Sequence, residues 1–144
     1  MLNDRRKSMR MAAKMTVDLM LTGQDGETLA GPVNVELDTF SLHGGSVLLP
    51  SIQVNGMHLF FDCNDRETCC LVLRFKDDSD QSCAISCRPV WFDRKLNEDP
   101  AYYKMGFEFF RPEERDNIRL LNRMTRGRSD KSLFKILGDF FTRS

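Results

Sequence analysis

Apolar and polar side chains alternate through most of residues 15–22, with Met15, Val17, Leu19 and Leu21 in step, and Gly23-Gln24-Asp25-Gly26 follows. A period of two puts alternate residues on one face of a strand, so this run predicts a β-strand leading into a hairpin. A second strand is predicted over 33–40. It breaks at His43-Gly44-Gly45, resumes over 46–49 and stops at Pro50, which lacks the donor a central ladder needs. Asn55-Gly56 predicts a turn before a strand over 57–62, and the polar run 64–67 precedes another over 69–75. After the acidic loop 77–81, Cys83, Ile85 and Cys87 open a long strand reaching Phe92. Polar residues 94–100 separate it from a last strand over 102–110, in which Gly106 marks a bulge or a close backbone approach. Six or seven short antiparallel strands in one small chain predict a mainly β fold, closed or nearly closed into a barrel that hides its edges.

The pattern then changes period. Pro112 followed by Glu113 and Glu114 is a helix start, since proline lacks a donor that would be unpaired there and acids suit the positive end. Ile118, Leu121 and Met124 are expected to face the barrel, and Gly127 ends the helix. A second helix is predicted from Ser129-Asp130 onward. Its apolar set of Leu133, Phe134, Ile136, Leu137, Phe140 and Phe141 is too wide for a lone surface helix. That helix is expected to be an output element, a homodimer contact, or a cover packed back on the barrel. With 144 residues the chain suits a single core. The expected layout is a flexible segment at 1–14, a barrel with its packing helix at 15–126, and an extension helix at 127–144.

Charge narrows the function. Lys plus Arg and Asp plus Glu each total 21, so no global field draws the chain to nucleic acid or an anionic membrane. The asymmetry is local: Arg5, Arg6, Lys7, Arg10 and Lys14 stand against Asp4 alone, a candidate anion grip. Cys63, Cys69, Cys70, Cys83 and Cys87 are odd in number and lack a CxxC pair, which suits neither a disulfide framework nor a zinc ribbon. A metal site would draw on them with His43 or His58; the plainer reading is small buried hydrophobes in a reduced cytoplasm. No apolar run reaches membrane-spanning length and no signal-peptide core follows the charged start, so a cytoplasmic protein without membrane insertion is expected. With two histidines, no nucleophile elbow and no phosphate loop, no catalytic constellation is present and no enzyme is expected.

Two short motifs carry chemistry. Arg6-Lys7-Ser8-Met9-Arg10 sets two arginines four apart; a guanidinium can bond the O6 and N7 edge of guanine, stack on a purine or clamp phosphate oxygens. By itself the spacing also fits a solvated basic tail. Thr39-Phe40-Ser41-Leu42-His43-Gly44-Gly45 ends a strand with a hydroxyl followed three residues later by glycine, which lets a flat base approach the backbone. A plain turn has the same composition.

In order and separation the two motifs resemble the PilZ family, with its RxxxR before the first strand and its [D/N]-x-S-x-x-G some thirty residues later. Cys87-Arg88-Pro89-Val90-Trp91-Phe92 is similar to that family's valine-tryptophan strand, and Tyr103-Lys104-Met105-Gly106-Phe107-Glu108-Phe109 to its closing strand. The resemblance covers residues 5–126. It implies a six-stranded antiparallel barrel with C-terminal helices that binds cyclic di-GMP on its outer surface, with no other cofactor. Carried over by residue, Arg6 and Arg10 would grip guanine and phosphate, Ser41 would contact a guanine, and Gly44 would allow its approach. Arg5 would add charge for a second stacked ligand, and Trp91 would pack on a base or sugar or else belong to the core. One position departs from the family pattern: Thr39 stands where the family has Asp or Asn. Asp38 can take its place only if the strand carries a bulge or the loop an extra residue, because in a regular strand it faces the wrong way.

The expectation is therefore a cyclic di-GMP receptor whose leading segment orders over the ligand and signals to a downstream protein. The alternative is a degenerate PilZ-like interaction module that binds no nucleotide.

Overall fold

A computed structural model describes residues 11–65 and 68–126; the leading segment with Arg5, Arg6 and Arg10 and the expected extension helix at 127–144 lie outside the described residues. Strands β1 (Met11–Thr22), β2 (Thr28–Phe40) and β3 (Gly44–Leu49) follow one another as hairpins. A minor ribbon, β4 (Gln53–Val54) and β5 (Met57–His58), leads to a short helix α1 (Phe61–Asp65). Then come β6 (Cys70–Lys76), β7 (Ser82–Lys95) and β8 (Tyr102–Phe109), a 3-10 turn at Pro112–Glu114, and a helix α2 over 115–126. The six long strands close a barrel in the order β1-β2-β3-β8-β7-β6, every neighbour antiparallel. Closure pairs β1 with β6 and leaves the main sheet without an edge.

The alternating residues meet inside. Val17, Leu19 and Leu21 of β1 pack with Leu37, Val47, Leu73, Ile85, Met105 and Phe107, all buried. Ile118 and Leu121 of α2 join this core and Met124 packs against it, so the helix covers one end of the barrel as its pattern predicts. Two polar anchors fix its entry. The Glu114 carboxylate accepts from the Ser86 backbone N–H at 2.8 Å and from the Ser86 hydroxyl at 3.0 Å, and Asn117 Nδ2 donates to the Ala84 carbonyl at 3.0 Å.

β2 begins at Thr28 rather than 33, β3 at Gly44 rather than 46, and β7 runs to Lys95 rather than 92; two further differences have a local cause. β1 begins at Met11, within the segment expected to be flexible, because Met11 and Ala12 find ladder partners in Phe40 and Thr39. The strand expected over 57–62 is instead two strand residues and a helical turn. There the Asp62 carboxylate accepts from His58 N–H at 2.6 Å, and His58 Nδ1 accepts from the N–H groups of Phe60 and Phe61. These side-chain caps satisfy the donors a ladder would otherwise pair.

Candidate functional site

A row of paired residues crosses five strands of the barrel. Trp91 on β7 lies opposite Gly106 on β8, Gly106 opposite Ser46 on β3, Ser46 opposite Thr39 on β2, and Thr39 opposite Ala12 on β1. The flanking residues Met105, Phe107, Val47, Leu37 and Phe40 point into the core, so Gly106, Ser46 and Thr39 take the opposite face, where Thr39 is partly exposed, Ser46 is covered at 1% exposure and Gly106 lies beneath Trp91.

The β2–β3 register slips by one residue between Leu37 and Thr39, making Asp38 the extra residue of a β-bulge. A bulge sets two residues of one strand against one of its partner, so Asp38 and Thr39 both reach Ser46. Thr39 Oγ1 is 2.7 Å from Ser46 Oγ, and the Ser46 hydroxyl lies 3.2 Å from Asp38 Oδ2. Lys104 Nζ from β8 meets the same carboxylate oxygen at 2.8 Å. The pair is about a third exposed, with side-chain exposures of 33% for Lys104 and 28% for Asp38. The face thus presents a carboxylate, a hydroxyl and an ammonium side by side. The carboxylate accepts from an N–H donor such as the N1 and N2 groups of guanine, and the ammonium suits a phosphate.

Trp91 sits beside this group and not in the barrel core. A second register shift, between Pro89 and Trp91, leaves Val90 half exposed and sets the indole over Gly106. A Cβ at position 106 would fall 2.2 Å from Trp91 Nε1, so only glycine lets the ring lie flat on β8.

Ser41 and Gly44 shape the adjoining loop. The Ser41 hydroxyl accepts from His43 N–H at 3.2 Å and donates to the Gly44 carbonyl at 3.2 Å, and it is 4% exposed. Gly44 is required by the fold itself: a Cβ there would lie 2.2 Å from the Phe107 carbonyl oxygen of β8. Both residues therefore hold the turn that presents Asp38 and Thr39. Arg5, Arg6 and Arg10 lie outside the described residues, Arg10 being joined directly to Met11, the first residue of β1. Ser46 and Lys104 had no signal in the sequence, because each reaches the site only through strand pairing.

Cys63, Cys69, Cys70 and Cys87 line a cavity of about 270 Å³, whereas Cys83 lies at the other end of the β6–β7 pairing, opposite Phe75. Burial, reinforced by Cys69 and Cys70, pushes the Cys63 thiol up to about 12, and burial raises Cys87 well above its ordinary value. Both stay protonated at neutral pH. Among the described residues no group of three or more His, Cys, Asp or Glu is arranged to hold a metal ion, and no helix is long and apolar enough to cross a membrane.

A closed six-stranded antiparallel barrel followed by a helix is the fold of PilZ domains, and this chain has that fold. It is similar to the PilZ domain with c-di-GMP of YcgR from Escherichia coli, at 12% identity and a TM-score of 0.61, covering 92% of this chain and 99% of that one. It is also similar to the K. pneumonia MrkH–c-di-GMP complex, at 15% identity and a TM-score of 0.56, covering 92% of this chain; it spans 56% of MrkH. Apo MrkH gives a TM-score of 0.54 at 11% identity, over 89% of this chain and 54% of MrkH. No family model matches the chain, and no curated protein matches it.

Proposed function

We propose that the protein is a receptor for cyclic di-GMP, binding it on the outer face that carries Asp38, Thr39, Ser46, Lys104 and Trp91. The observation that supports this most is the β2 bulge. It sets Asp38 where the motif has only Thr39, and so supplies the carboxylate a guanine edge needs. Arg6 and Arg10 precede β1, whose second residue pairs with Thr39, so the chain enters the barrel beside this face. Their guanidinium groups clamp phosphate and guanine, Arg5 adds charge for a second stacked dinucleotide, and Ser41 and Gly44 hold the loop against the ligand. The YcgR and MrkH structures named above, which contain c-di-GMP, share the fold.

The activity proposed is binding without catalysis. Closure of Arg6 and Arg10 on the ligand changes the surface shown to a downstream protein, and the sequence 127–144, with its wide apolar set, is a further output or homodimer element. Trp91 is the single tryptophan, so its fluorescence tests the proposal directly. Cyclic di-GMP is expected to change Trp91 emission saturably, and cyclic di-AMP, which lacks the guanine N2 donor, is not. No change at high micromolar cyclic di-GMP, together with no heat of binding, favours a degenerate module that binds no nucleotide.

A further inference from the structure

At the end of the barrel, a groove of about 430 Å³ runs between the β2–β3 loop and the start of α2. Its apolar floor includes Leu42, Phe109, Phe110 and Ile118, and Leu42 and Phe110 remain 47% and 38% exposed. Arg111, Arg115 and Arg119 line it. Arg115 and Arg119, four residues apart, share one side of α2, and Arg111 stands at its entry with its guanidinium 5.4 Å from the centre of the Phe110 ring.

Among the described residues none of these three arginines has a carboxylate within ion-pair distance. The nearby acid Glu114 is turned away, its two oxygens bound to Ser86. The groove lining holds these three arginines and no acid, a concentrated positive site against exposed apolar surface.

We propose that this groove docks an acidic segment of a partner protein, with apolar side chains seated on Leu42 and Phe110 and carboxylates on the arginine fork donors. Charge complementarity selects that occupant. A free phosphate would satisfy the arginines and leave the floor wet, whereas a segment carrying both side-chain types covers both. The chain's own undescribed segments do not suit it, because 1–10 and 127–144 each contain more Lys and Arg than Asp and Glu. Leu42 follows Ser41 in the loop beside the nucleotide face, so partner and ligand would touch the same turn. The docking site itself does not rest on the cyclic di-GMP reading.

The test is fluorescence anisotropy with a short labelled peptide of Glu-Glu and Leu-Leu pairs, using an all-Glu peptide and inorganic phosphate as competitors. The Glu/Leu peptide is expected to bind. Arg115→Glu combined with Arg119→Glu weakens it by about tenfold or more, and Leu42→Ser weakens it by about threefold or more, with melting curves unchanged. Absence of binding, unchanged affinity in either variant, or equally strong competition by phosphate or the all-Glu peptide overturns the proposal. So does a dimer, seen by sedimentation, that the double arginine variant dissolves, because the occupant is then a second copy of the chain.

Discussion

The Asp38 carboxylate and the Lys104 ammonium meet at 2.8 Å on the outer face of the barrel, one from a bulge in β2 and the other from β8. The pair is partly open to water, so its contribution to folding is small, within about 1 kcal/mol. In the proposed receptor its role is in binding: a hydrogen bond to a charged group contributes about 1.5–3 kcal/mol, or roughly tenfold and upward in affinity. Asp38→Ala is therefore expected to weaken cyclic di-GMP at least that much while leaving the urea midpoint nearly unchanged. Thr39→Val is expected to cost only a few-fold, and equal losses in the two variants would place the guanine contact elsewhere.

Gly106 provides a structural test of the same face. Adding a methyl group beneath Trp91 forces the indole off β8, since the nearest ring atoms would stand 2.2 Å away. Gly106→Ala is expected to destabilise the barrel by about 1–3 kcal/mol and to red-shift Trp91 emission as the ring moves toward water. Wild-type emission and stability would show that the indole does not rest on that glycine.

The join between helix and barrel turns on Glu114. Removing its carboxylate leaves the Ser86 hydroxyl and N–H without their partner, a penalty of about 1–3 kcal/mol. Glu114→Ala should lower the unfolding free energy measured in urea by that amount, with Glu114→Gln recovering part of it. A variant as stable as the wild type would mean that the apolar contacts of Ile118 and Leu121 seat α2 unaided.

Cys63 gives a pH dependence of defined sign. Its thiol rises from 9.0 to about 12 on burial, so the folded protein holds that proton more tightly than the unfolded chain. The associated stability is complete below pH 9.0 and is lost as pH climbs toward about 12. Urea titrations across this window should show wild-type stability falling, and Cys63→Ala falling less steeply. Parallel slopes would count against a buried, protonated Cys63.

Much of this architecture was legible in the chain because the barrel buries only one face of each strand. Leu71, Leu73 and Phe75 alternate visibly, as do Met105 and Phe107, and Asn55-Gly56 marks its turn with both residues at positive φ. Residues 57–62 misled, since His58, Phe60 and Phe61 resemble strand residues but cluster with Phe92 around a local cap. The bulge at Asp38 is not legible in the local sequence, because a one-residue slip depends on the partner strand. Ser46 and Lys104 join the site through neighbours far away in the chain, which periodicity does not reveal.

The most direct measurement is a calorimetric titration of cyclic di-GMP into the wild-type chain and into Arg6→Ala and Arg10→Ala. Saturable binding is predicted for the wild type, weakened about tenfold or more by each substitution with the melting transition preserved. Near wild-type affinity in both variants, or no heat from the wild-type chain, would contradict the account.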